Sequence, residues 1–181
     1  MSEAREAQPR RPSHSPADHI RRANIADAAS GFDGFPAVEW VRECGANVAE
    51  TLRTWQNGRL AELPVGRAWD VVRMPRQEGW EVVRHMNAVV SPLGPVLLTP
   101  DGVHFFIPVD SANDWDLPGV SVLGPGEVLL VPHPSVVAPH TQDSMTWIVA
   151  PRPEPKLADA ADLYGAYASA LAIMGTSRGA R

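Results

Sequence analysis

A chain of 181 residues, 44% hydrophobic and 20% charged, is long enough for one domain with a buried core and too short for two ordinary ones. No apolar run approaches the roughly 20 residues that cross a bilayer, and the polar start of the chain lacks the apolar segment of a signal peptide. A cytoplasmic protein with no membrane partner is therefore expected. The formal net charge of −5 argues against a dominant nonspecific duplex-DNA binder, because such binding relies on cations displacing phosphate counterions.

Residues Met1 to about Ser30 are rich in Arg, Ala, Ser and Pro and carry little apolar surface with which to form a core, so residues 1–33 read as a disordered arm. Within the first 22 residues five arginines stand against three acids, a net +2, which makes the arm mildly basic. A domain is expected over residues 34–152. It opens with a helix in "GFDGFPAVEWVRECGANVAETLR", where Val38, Val41, Val48 and Leu52 recur at helical spacing with Cys44 or Ala46 between them. Cys44, the one cysteine, has no internal disulfide partner and on this helix is a small inert hydrophobe, as a reducing compartment allows.

"AWDVVRMP" reads as a strand ended by Pro75. "RQEGWEVVRHMNAVV" reads as a helix with Trp80, Val83, Asn87 and Val90 along one side. Four extended segments follow, "GPVLLTP", "VHFFIPV", "EVLLVP" and "MTWIVAP", each bounded by Gly, Pro, Asp or Asn, and together they suggest one antiparallel set. "PRPEP" breaks the chain. Residues 153–175 are then a linker and a C-terminal helix, in which Leu157, Tyr164 and Leu171 fall seven apart and Ala160, Leu163, Tyr167, Ala170 and Met174 thicken the same side. Residues 176–181 are a disordered tail. The order helix, strand, helix, then mostly strands gives an α+β class: a mainly antiparallel, curved sheet backed by helices, with a C-terminal helix.

The chemistry-bearing residues are few. His104 heads an apolar strand directly after an Asp-Gly turn, where it either contacts a ligand or caps the strand end. His133 and His140 bracket "HPSVVAPH" and with His104 would make three imidazole ligands for a metal, as in a small cupin-like enzyme. The cupin pattern, however, fails beyond Pro132, where Pro134 and Val137 stand in place of a glycine and a histidine. There is no Gly-x-Ser-x-Gly elbow, no Gly-x-Gly-x-x-Gly turn and no Walker-type phosphate loop. Asp70 lies inside the apolar run "AWDVVRM", a costly place for a carboxylate unless it reaches a rim, binds a cation or pairs with Arg67 or Arg73.

Taken in order, "AWDVVRM", "GPVLLTPDGVHFFIPV", "LPGVSVLGPGEVLLVPHPSVV" and "MTWIVAP" resemble the N-terminal domain of bifunctional DNA primase/polymerases, the prim-pol branch of the archaeo-eukaryotic primase superfamily, over about Leu63 to Pro151. The resemblance implies a primase/polymerase-like fold in which Asp70 is the first metal-binding acid and His104 contacts the phosphates of a nucleotide. It also implies that two further acids are lost, since Val72 and Ser121 stand where they are expected. Nucleotidyl transfer needs several carboxylates converging on divalent ions, so Mg²⁺ is expected only if other acids complete the site, and no cofactor otherwise.

The reading is a catalytically degenerate prim-pol-like protein that acts by binding, leaning away from an enzyme, with Asp70, Arg73, His104 and Ser135 lining the former pocket. Its ligand is expected to be a nucleotide, a nucleic-acid end or a partner from replication or mobile-element machinery. The alternatives are the metal-dependent enzyme using His104, His133 and His140, and a protein adaptor or homodimer formed through the C-terminal helix.

Overall fold

A computed structural model of the chain describes residues 37–89, 92–152 and 156–179; the expected N-terminal arm lies outside them. Among the described residues there are four helices, α1 (Ala37–Cys44), α2 (Val48–Gln56), α3 (Arg76–Ala88) and α4 (Ala160–Gly179). They accompany seven strands, β1 (Ala61–Pro64), β2 (Asp70–Met74), β3 (Val96–Thr99), β4 (Gly102–Ile107), β5 (Ser121–Leu123), β6 (Val128–Val131) and β7 (Thr146–Val149). The class is α+β with antiparallel pairing throughout the named strands, as the sequence indicates.

The expected first helix is two. Gly45, at φ +87°, terminates α1 in the left-handed region, and Asn47 caps α2 by accepting the Glu50 backbone N–H at 3.1 Å. Trp40, Val41 and Cys44 of α1 and Thr51 and Trp55 of α2 are buried, while Val38, Val48 and Leu52 are only half-buried. The Cys44 Sγ–H donates to Val41 O at 3.2 Å, and burial pushes its thiol up from the ordinary value, in keeping with an inert packing role.

The four extended segments do not form one sheet. β3, β4 and β7 join β2 and β5 in a five-stranded sheet of order β5-β2-β4-β3-β7, whereas β6 pairs only with β1 in a separate two-stranded ribbon. β1 is a four-residue strand ending in Pro64, too short and too polar for a period-2 signal. Its pairing with β6 leaves Val128 and Leu130 facing solvent and turns Leu129 and Val131 inward.

β2 crosses the middle of the larger sheet, paired with β4 from Asp70↔Ile107 to Met74↔Val103 and with β5 through Val71↔Leu123 to Arg73↔Ser121. Alternate residues of a strand point to opposite sides. Val72, Met74, Val96, Val103, Phe105 and Ile107 therefore share one face, where they pack with Val82, Val83 and Met86 of α3 and Leu163, Ala166, Tyr167 and Ala170 of α4 in one core. The α3 stripe is rotated by one position from the sequence expectation. Gly79, Val82, Val83 and Met86 point inward, Trp80 and Asn87 are exposed, and Val90 lies outside the described residues.

α4 packs back on α3 within the chain. Tyr164, expected on its inner side, is exposed and meets Trp115 edge-on at 5.4 Å between ring centroids. The helix continues to Gly179 rather than ending near Met174. The segment before it docks on β4 just beyond the Val96 end of β3, with the Ala158 N–H donating to Phe106 O at 3.0 Å.

The opposite face of the sheet carries an aromatic cluster. Phe106 of β4 lies between Trp69 (4.7 Å between centroids), Trp40 of α1 (5.8 Å) and Trp147 of β7 (5.8 Å), and Trp40 stacks on Trp69 at 5.6 Å. Trp147 anchors its indole N–H on Pro132 O at 3.2 Å, and Trp55 does the same on Val131 O at 3.1 Å, which ties β6 and the loop after it to this side. No helix among the described residues is long and apolar enough to cross a membrane.

Candidate functional site

Strand register brings two of the four expected site residues together. Arg73 and His104 are directly opposed on β2 and β4, and Arg73 is opposed on its other side by Ser121 of β5. Leu97 and Trp147 continue the row across β3 and β7. Directly opposed side chains share a face with Cβ atoms about 4.5–5.5 Å apart, so Ser121, Arg73 and His104 form a polar line on the aromatic side of the sheet. The Arg73 Nε–H donates to Ser121 Oγ at 2.9 Å. Ser121, which the resemblance marks as a lost acid, is thus the hydroxyl that aims the guanidinium.

His104 is buried, and its Nε2 lies 3.3 Å from Thr99 Oγ1 while Nδ1 has no hydrogen-bond partner among the described residues. Thr99 Oγ1 also accepts the Asp101 N–H at 3.1 Å and lies 3.4 Å from Gly102 O. Burial, with the Arg73 charge adding to it and Asp101 opposing, holds the His104 pKa down to about 4, so the ring is neutral near pH 7. A neutral imidazole has one N–H and one bare nitrogen, and whichever tautomer Thr99 selects leaves one ring atom unspent in a buried position.

Arg73 is half-buried and, among the described residues, has no ion-pair partner; its four terminal N–H groups are uncommitted. It lines an open depression of about 390 Å³ together with Met74, Pro75, Asp101 and Gly119. Arg76, at the start of α3, donates to Thr99 O at 3.0 Å on the same β3–β4 turn and adds a second cation there.

Asp70 does not belong to this group. It pairs with Ile107 and so points to the helix-covered face, opposite to Arg73 and His104. Neither Arg67 nor Arg73 neutralises it. Its Oδ2 accepts the Asp110 backbone N–H at 2.8 Å, and Oδ1 has no hydrogen-bond partner among the described residues. Burial raises its pKa above the ordinary carboxylate value; the Asp110 N–H opposes the rise and the Asp110 carboxylate adds to it. Ser135 is also apart, on an exposed turn where its Oγ lies 2.6 Å from His133 Nδ1 and its N–H donates to the same nitrogen at 3.1 Å.

The three histidines of the metal alternative occupy separate places. His104 lies within the sheet, His133 stands edge-on to Trp55 at 5.3 Å, and His140 is on an exposed loop after the cis Ala138–Pro139 bond. Among the described residues no three His, Cys, Asp or Glu side chains converge as metal ligands. The Asp110 carboxylate is near enough to act electrostatically on Asp70, and among the described residues no third His, Cys, Asp or Glu joins them.

Thr99 and Gly119 carry no signal in the sequence. Asp101 was legible as part of the turn, but the approach of Gly119 to Arg73 depends on pairing between β5 and β2, residues 48 apart where Arg73 meets Ser121. No family model matches the chain, and no curated protein or solved structure matches it either.

Proposed function

We propose that the chain is a binding protein for a phosphate-bearing ligand of nucleotide type, held at Arg73 with His104 beneath it. In this reading it is a degenerate relative of the primase/polymerase domains it resembles. One observation carries the proposal: Arg73, a half-buried residue with no carboxylate within ion-pair distance among the described residues, lies beside a neutral buried imidazole at the edge of an open depression. Removing an arginine from bulk water without an anion partner is costly, and a phosphate returns that cost through charge-assisted, often bidentate hydrogen bonds. Val72, Ser121 and the orientation of Asp70 away from Arg73 support binding without nucleotidyl transfer, because among the described residues no three carboxylates converge to organise paired metal ions.

The test is thermal unfolding and calorimetric titration with dATP, ATP and inorganic phosphate, each with and without Mg²⁺. A ligand at a hundred times its Kd stabilises by about 2.7 kcal/mol through mass action. Stabilisation that does not require the metal and is lost in Arg73→Ala and His104→Ala is the expected result. Primer extension on a primed template, or binding that survives Arg73→Ala, overturns the proposal.

A further inference from the structure

We propose that Tyr167 of the C-terminal helix is a positioning residue for the Arg73 site and couples the docking of α4 to ligand binding on the other face of the sheet. The inference rests on the phosphate-binding reading above. Tyr167 is buried on the helix-covered face, and its hydroxyl donates to Pro118 O at 2.5 Å. Burial, with Glu78 nearby, raises its pKa above the ordinary phenol value, which keeps the hydroxyl a donor.

Pro118 is the first of a short series of contacts that turns around the sheet edge. The next residue, Gly119, forms the lip of the depression at φ +76°. A Cβ there would lie 3.1 Å from Pro75 Cγ and 3.8 Å from the Tyr167 hydroxyl. The Val120 N–H closes the turn on Leu117 O at 3.2 Å, and Ser121 then begins β5 and takes the Arg73 Nε–H at 2.9 Å.

β5 is only three residues long and lies at the sheet edge, hydrogen-bonded to β2 alone. An edge strand this short sets its own position weakly, because one flank lacks a ladder. The tyrosine hydroxyl supplies the missing restraint from behind. It holds the peptide three residues ahead of the hydroxyl that aims the guanidinium, next to Gly119, which bounds the ligand's space. A helix on one face thereby sets a group on the other, and linkage requires the ligand to stabilise the helix's docking in return.

The experiment uses the full chain, with inorganic phosphate and ATP as probes, in wild type, Tyr167→Phe, Gly119→Ala and Arg73→Ala. Loss of one hydrogen bond from a positioning contact weakens affinity by roughly three- to tenfold, which is the change expected by calorimetry for Tyr167→Phe. Gly119→Ala forces a side chain into the left-handed region against Pro75 and is expected to weaken binding comparably. In hydrogen exchange, ligand is expected to slow amide exchange in α4 of wild type, an effect lost in Tyr167→Phe and in Arg73→Ala.

A purely structural role would lower the stability of Tyr167→Phe while leaving its affinity and ligand-induced protection intact, and that result overturns the inference. So does wild-type binding with α4 exchange indifferent to ligand, a readout that stands even if Tyr167→Phe fails to fold. If wild type takes neither probe, the reading of the site itself falls and this inference falls with it.

Discussion

The two faces of the five-stranded sheet are made by the same strands and have opposite characters. On the helix side Val72, Met74, Val103, Phe105 and Ile107 meet α3 and α4 in a closed apolar core, interrupted at one end by Asp70. On the other side Phe106 sits among three tryptophans, and the next inward-facing position along β4, His104, begins a polar line. "DVVRM" alone supplies both: Asp70, Val72 and Met74 to one face, Val71 and Arg73 to the other. Residues three apart in a strand are as far from sharing a pocket as neighbours are, which is why Asp70 and Arg73 do not act on one ligand.

The adjacent phenylalanines of β4 sharpen this division most. Both are fully buried, so Phe105→Ala and Phe106→Ala are each expected to cost about 3–5 kcal/mol in urea unfolding. Only Phe106→Ala should strongly alter the near-ultraviolet circular dichroism of the folded protein, because its ring touches Trp40, Trp69 and Trp147. Equal spectral changes in the two variants would break the assignment of faces.

The next effect is a pH dependence specific to the polar line. His104 titrates near 6.5 when free of the fold and at about 4 within it, so between those values the unfolded chain binds the extra proton. The stability tied to the neutral ring is complete above about pH 6.5 and lost as pH falls toward 4, a change of roughly 3 kcal/mol. His104→Gln removes the titrating group, so its unfolding free energy should fall less steeply over that window than that of wild type. Parallel pH curves would mean that His104 is not held neutral by burial.

The smallest effect concerns Asp70. An Asn at this position keeps an oxygen to accept the Asp110 N–H and removes a buried charge beside the Asp110 carboxylate. Asp70→Asn is therefore expected to leave stability at pH 7 unchanged or raised by up to about 1 kcal/mol, with phosphate affinity unchanged. A marked loss of phosphate binding in this variant would unite the two faces in one site.

Elements with strong local signals were legible before the structure. β2 with Pro75 behind it, α3 and the strands β3, β4, β6 and β7 follow from period-2 or period-3.6 patterns and from Gly and Pro boundaries. The break at Gly45 was legible in principle, since a glycine followed by Asn-x-x-Glu marks one helix stopping and another starting. Helical spacing alone puts Trp80 on the α3 stripe with Val83 and Tyr164 on the α4 stripe with Leu157 and Leu171. The structure leaves Trp80 and Tyr164 at the surface because smaller residues, Gly79 and Ala166 among them, allow the helices to approach the sheet and each other.

For the site, strand register places Arg73 opposite His104, while Asp70, expected beside them from the resemblance, pairs with Ile107 and Ser135 lies beside His133.

What the sequence determined by itself was the kind of each element and the α+β class, because backbone geometry imposes its period on side chains only a few residues apart. The tertiary structure decided which strand each segment paired with, which way Asp70 and Arg73 faced, and that a tyrosine of the last helix reached the loop beside Arg73. Those outcomes depend on register between residues tens of positions apart, and a one-residue slip in register would send every side chain to the other face without altering any local pattern.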